Sequence, residues 1–198
     1  MSLLRCHSTS RKVRLRDGTR VTLRQVRRTD ATALRAFLQK LSPESRYLRF
    51  HAHVSELSEA QWKYLVSADG QDHVAVLAWI GRRVVGVGRF IRLEQFPDKA
   101  EVAFVVADAL QRRGLGSLLR DELLAAAGRS GIRSFRAEVM DENRGMRRLL
   151  QTPALRMVSD VDGVIEVRLE RQNSDREPLT QPWKVSSTRP SGVSASDG

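Results

Sequence analysis

Apolar and polar positions fall into separate blocks along the chain, and each block predicts an element. Val13 and Leu15, then Asp17-Gly18, then Val21 and Leu23 read as a hairpin closed by a two-residue turn. Asp30 stands where it can cap a helix whose Leu34, Phe37, Leu38 and Leu41 recur at i, i+3, i+4 and i+7. Ser42-Pro43 opens a second short helix, with proline tolerated at its first position. Ser58-x-x-Gln61 is a capping box for a third, with Trp62, Leu65 and Val66 inward. Residues 74–80 and 84–91 are strands joined at Gly81-Arg82-Arg83, and Asp98 leads into a central strand. Its run 102–106 is unbroken apolar, as in a strand covered on both faces. Leu115, Leu118, Leu119 and Leu123 then give one stripe of a helix. Gly131 is placed as its C-terminal cap, and residues 132–140 form a strand with Phe135, Ala137 and Val139 on one face. Asn143 begins a short helix that Pro153 should end, and residues 155–161, Asp162-Gly163 and 164–169 make a last hairpin.

Composition adds boundaries to this order. At 198 residues and 41% apolar content, the chain suits one domain of moderate size plus tails. The reading is a flexible basic arm over 1–12, a folded domain over 13–171, and a disordered Ser/Pro-rich tail over 172–198 in which Trp183 is the one large aromatic. No apolar run approaches membrane-spanning length, so a soluble protein with no membrane partner is expected. The single cysteine, Cys6, excludes an intrachain disulfide and a cysteine-based metal site, which fits a cytoplasmic location. His7, His51, His53 and His73 are scattered, and only His51-x-His53 shares a strand face, so no metal is expected.

Charge is unevenly placed. Of a net +11, residues 1–28 hold nine Arg or Lys against Asp17 alone. Such an arm is either a solvated extension or a surface for acidic partners, the phosphates of a cofactor or nucleic acid among them. With no stacked aromatic surface and no DNA-binding motif, nucleic acid is not the expected partner. The first dozen residues, rich in Arg and Ser and free of acids, also have the character of an organelle transit segment.

Candidate chemistry centres on Gln111-Arg112-Arg113-Gly114-Leu115-Gly116, between the central strand and the leucine-striped helix. Two glycines let the backbone approach a ligand, and the helix's first amides are unpaired donors at the positive end of its dipole. Such a turn holds a phosphate or pyrophosphate, or else only joins strand to helix. Its spacing is neither a P-loop nor a dinucleotide fingerprint.

Gln-x-x-Gly-x-Gly after an apolar strand resembles the acyl-CoA signature of the GNAT acetyltransferase superfamily, met here by Gln111, Gly114 and Gly116. Three further segments, residues 41–50 (LSPESRYLRF), 100–106 (AEVAFVV) and 142–146 (ENRGM), resemble the catalytic domain of bacterial Pat-type protein lysine acetyltransferases. The likeness implies an α/β (α+β) GNAT fold, with a central mixed, mostly antiparallel twisted sheet of about seven strands flanked by helices. It also implies acetyl-CoA as co-substrate and a protein lysine as acceptor, notably on an acyl-CoA synthetase. A small-amine acetyltransferase and a non-catalytic acyl-CoA-sensing or nucleic-acid-binding module are the alternatives, because one fold hosts many functions.

Roles follow from the resemblance. A lysine amine, with an ordinary pKa of about 10.4, attacks a thioester only after losing a proton, so a general base is required. Glu101 matches the family's catalytic glutamate, and burial is expected to raise its pKa; Glu94 and Glu138 are fallback carboxylates. Phe104, Val105 and Val106 would pair with the pantetheine arm, with the amide of Val105 or a neighbour facing the oxyanion. The amides of Arg112, Arg113, Gly114, Leu115, Gly116 and Ser117 would hold the pyrophosphate, the two arginine side chains adding charge. Asn143 would bond the pantetheine arm, or cap its helix, or both. Two features depart from the family pattern. No tyrosine stands near Leu150 to protonate the thiolate, and Thr152-Pro153-Ala154-Leu155 replaces a Gly-Phe pair.

Overall fold

In a computed structural model of the chain, residues 10–50 and 57–170 are described. Cys6, His7, His51, His53, Trp183, most of the basic arm and the tail lie outside them. Eight strands join in one sheet, ordered β1-β2-β3-β4-β5-β6-β8-β7. They are β1 (Arg11–Arg14), β2 (Arg20–Gln25), β3 (His73–Ile80), β4 (Arg83–Leu93), β5 (Phe96–Val106), β6 (Ser134–Glu138), β7 (Leu155–Val161) and β8 (Val164–Leu169). Every pairing is antiparallel except β5 with β6. The helices are α1 (Ala31–Gln39), α2 (Pro43–Phe50), α3 (Glu59–Val66), α4 (Leu115–Arg129) and α5 (Arg144–Leu150). Among the described residues no helix is long and apolar enough to cross a membrane.

The period-2 alternation of the strands divides the core between the two sheet faces. On one face Val74, Val76, Ala78, Phe90, Ala100 and Val102 meet Leu115, Leu119 and Leu123 of α4. On the other, Ala75, Leu77, Val87 and Val105 meet Leu34, Phe37 and Leu38 of α1 and Trp62 and Val66 of α3. Gly88 belongs to this design: a Cβ there would stand 3.0 Å from the ring of Phe104 and 3.3 Å from Leu123 Cδ1. Its absence lets the aromatic ring lie on β4.

Several local readings are refined. The first hairpin is wider than a two-residue turn. Leu15 N–H donates to Thr19 C=O, Gly18 N–H donates to Leu15 C=O, and Gly18 takes φ +83°, so Arg16, Asp17 and Gly18 form the tip. Asp30 precedes α1 but its side chain does not cap it; the carboxylate accepts from the Arg27 backbone N–H and from Nη1 and Nη2 of Arg24, each at 2.7 Å. The turn of the β7–β8 hairpin has Asp162 and Gly163 both at positive φ, the conformation their types predict. Ser58 and Gln61 form the reciprocal cap.

Candidate active site

The parallel seam between β5 and β6 is three rungs long, from Lys99↔Ser134 to Glu101↔Arg136, and beyond Glu101 the two strands part. Register determines what the fork exposes. Ala107 N–H donates to Val85 C=O at 2.9 Å, one step beyond the Gly86↔Val106 pair. Alternation then turns the backbone groups of Glu101, Ala103 and Val105 toward β4, and those of Val102, Phe104 and Val106 the other way. Phe104 and Val106 therefore present amides to the open side of the fork with no strand partner among the described residues. An extended ligand arm laid there pairs with them as an added strand. Val105 is engaged with β4, and its two neighbours carry the accessible donors.

Past Val106 the chain makes a 3-10 turn at Asp108–Leu110 and enters the glycine turn. Arg112 is left-handed at φ 59°, a conformation that costs a non-glycine residue about 1–2 kcal/mol. Gly114, the residue before α4, has φ 92°. Left-handed residues so placed curl successive N–H groups into an anion-binding concavity at the positive end of the helix. The Gln111 side chain points back into the protein, its Nε2 donating to Ser45 Oγ at 3.0 Å and to Val106 C=O at 3.3 Å. Arg113 is held by Asp17, Nη1 to Oδ2 at 2.7 Å.

Asp108 ties this turn to α2. Its carboxylate accepts from the Ser42 backbone N–H, Ser42 Oγ and Ser45 Oγ at 3.0, 2.8 and 2.6 Å, so it braces the start of a helix far away in sequence, whose cap is Ser42 Oγ accepting from Ser45 N–H at 3.1 Å. Partial burial works against its charge, but the bonds from Ser45 and Ser42 outweigh it and hold the carboxyl below its ordinary pKa.

Glu101 projects from the sheet face opposite α4 and is exposed. The burial expected for it is absent. Arg136 is its register neighbour on β6, and Arg49 of α2 lies close enough for their charges to interact. Beside them Arg89 is 5% exposed and donates through Nη2 to Leu65 C=O at 2.8 Å; burial and Arg49 bring its pKa down to about 10. His73 is buried next to it, and burial and then Arg89 hold its pKa below the ordinary 6.5.

Comparison with known proteins matches residues 34–152 to the model of the acetyltransferase (GNAT) family. The chain belongs to that family. An acetyltransferase of Pseudomonas aeruginosa is 32% identical over 139 residues, covering 68% of this chain and 74% of that protein. Acetyltransferase Pat of Mycolicibacterium smegmatis is 31% identical over 142 residues, 71% of this chain but only 42% of its own length. The crystal structure of the GNAT domain of S. lividans PAT superposes with a TM-score of 0.74 at 33% identity, covering 81% of this chain and 96% of that one.

GNAT acetyltransferases use acetyl-CoA, and the residues present fit it. A Cβ at Gly116 would rest in ordinary contact, 3.5 Å from Leu149 Cδ1, so packing within the chain does not require glycine there and the bare backbone is left for a ligand. Phe104 and Val106 present open amides at the fork and Gly116 bare backbone at the turn, the two features a pantetheine arm and its pyrophosphate require. Asn143 caps α5, its Oδ1 accepting from Met146 N–H at 3.0 Å, which leaves its amide nitrogen as a donor.

Of the expected site residues, Phe104, Val106, Arg112, Gly114, Leu115, Gly116 and Ser117 line the fork and the turn. Gln111 and Arg113 spend their side chains on the protein. Glu94 sits at the tip of the β4–β5 hairpin, at the other end of β5 from the turn, and Glu138 is an exposed residue near the end of β6. Leu150 is 1% exposed in the core, so no proton donor stands at that place. Neither the Asp108 latch nor the Arg49–Arg89–His73 cluster was visible in the sequence, because each joins residues with no local pattern.

Proposed function

We propose that this chain transfers acetyl from acetyl-CoA to a lysine amine of a protein, by direct attack in a ternary complex with Glu101 as general base. The observation that carries this reading is the exposed carboxylate at the fork. Glu101 stands where β5 leaves β6, on an open face accessible to a side chain presented from a protein surface, three residues along the strand from the free amide of Phe104.

The chemistry balances with groups of this chain and water. The ammonium of the acceptor gives its proton to Glu101 through a water, and the neutral amine attacks the thioester carbonyl. Negative charge developing on the carbonyl oxygen is met by a backbone amide of the fork. The carbon–sulfur bond then breaks. The attacking nitrogen gives its second proton to water, and the departing thiolate, with an ordinary pKa of about 8.5, leaves without a protein acid and takes a proton from solvent, so the products are the neutral amide and the CoA thiol. An acyl-CoA synthetase is the protein acceptor we favour, from the similarity to Pat, and the cytoplasm is the compartment that suits such a partner.

Acetyl-CoA consumption tests this, with an acyl-CoA synthetase and a panel of small amines supplied separately. CoA release that needs the synthetase and collapses in Glu101→Gln, with acetyl-CoA binding retained, supports the reading. Release with a small amine alone replaces the lysine acceptor, and full activity in Glu101→Gln removes the base.

A further inference from the structure

The β1–β2 hairpin lies along α4 and reaches the glycine turn at its tip. Two ion pairs bracket the contact: Arg11 Nη1 to Glu122 Oε1 at 2.6 Å at one end, and Asp17 Oδ2 to Arg113 Nη1 at 2.7 Å at the other. Between them Arg16 is laid over the turn. A Cβ built on Gly114 would stand 3.9 Å from both Cγ and Nε of Arg16. Arg16 is exposed and has no carboxylate partner among the described residues. Its neighbour Asp17 is committed to the Thr19 N–H and to Arg113.

We propose that Arg16 is a binding residue for the phosphates of CoA, and that it supplies the uncompensated charge which Arg113, neutralised by Asp17, does not. Three observations converge. The Gly114 amide begins the first turn of α4, so an anion bound there is within reach of the guanidinium lying against the same residue. The Asp17–Arg113 pair fixes the hairpin tip, so Arg16 is positioned before the ligand arrives. Finally, Arg20 opens β2 and Arg82 and Arg83 lie at the β3–β4 turn, which the Thr22↔Trp79 register brings to the same end of the sheet. That end is a rim of positive charge suited to a polyanion. The tip of the β1–β2 hairpin thus has a specific occupant, the co-substrate's own phosphates.

Arg16→Gln and Arg16→Lys test this with three co-substrates: acetyl-CoA, acetyl-3′-dephospho-CoA and S-acetylpantetheine. CoA binding is also measured by calorimetry without acceptor. Arg16→Gln is expected to weaken CoA binding and raise the acetyl-CoA KM about tenfold, with kcat unchanged, while the S-acetylpantetheine KM stays as in wild type. Arg16→Lys, keeping the charge but not the fork, is expected to recover part of the loss. A penalty that persists with the dephospho compound places Arg16 on the pyrophosphate; one that vanishes places it on the 3′-phosphate. An equal loss with S-acetylpantetheine, or unchanged CoA binding, overturns the proposal. Because CoA binding is read without an acceptor, Arg16's role and the lysine reading stand or fall separately.

Discussion

The two sides of the β5 strand are built on different principles. On the α4 side, leucines fill the space under the sheet, a glycine makes room for an aromatic ring, and ion pairs strap a hairpin to the helix. On the opposite side, where β5 leaves β6, Glu101, Arg49, Arg89 and Arg136 are gathered around an open floor. The first side is filled by apolar side chains; the second is polar and carries the exposed Glu101 carboxylate, which is what the proposed reading requires of a face that receives an acceptor on a macromolecule. The contrast teaches that a single strand can present a packed face and a charged, accessible face, and the proposed reading gives the co-substrate's thioester arm and the acceptor amine to different sides of it.

The largest break in that contrast is Glu101→Gln. Removing a general base lowers kcat/KM by about a hundredfold or more, while acetyl-CoA binding, governed by the other side, is unchanged; steady-state kinetics beside calorimetry read both. Gly88→Ala acts on the packed side. Its new Cβ meets the Phe104 ring at 3.0 Å, with an expected cost of about 1–3 kcal/mol, seen as a lower Tm and a raised acetyl-CoA KM as Phe104 is displaced from the fork. Asp108→Ala cuts the latch between the sides. Loss of the bonds from Ser42 and Ser45 to this carboxylate costs about 1–3 kcal/mol and should lower kcat as Arg49 loses its position near Glu101; Asp108→Asn should retain part of the stability.

The smallest effect belongs to His73. Folding holds its pKa below the ordinary 6.5, so the unfolded chain takes up the proton more readily. Its contribution is therefore full above about pH 6.5 and is lost as pH falls below that value. Denaturant titrations at pH 7.5 and 5.5 should show a smaller loss of stability on acidification in His73→Gln than in wild type.

Much of the fold was legible because hydrophobic periodicity is a local signal. The stripe of Leu115, Leu119 and Leu123 and the turn Asp162-Gly163 came out where expected, since each depends on spacing or on a residue's own backbone preference. The hairpin tip was read one residue short because Gly18 sits in a left-handed bulge position that a two-residue turn also tolerates. In the site, the glycine turn was readable, but side-chain allegiance was not. Gln111 and Arg113 have the composition of phosphate ligands, yet Ser45 and Asp17, brought near only by folding, claim them. Glu101 was identified by family pattern and its burial misjudged, because exposure depends on where β6 ends.

The alternation along β5 has a consequence for the strand's own amide protons. Val105 N–H faces β4, while those of Phe104 and Val106 on either side of it face the fork. Neighbouring residues of one regular strand therefore have two exchange lifetimes, long for Val105 and loop-like for the flanking pair. If acetyl-CoA binds along the fork as proposed, it completes the missing edge, and all three are expected to become slow.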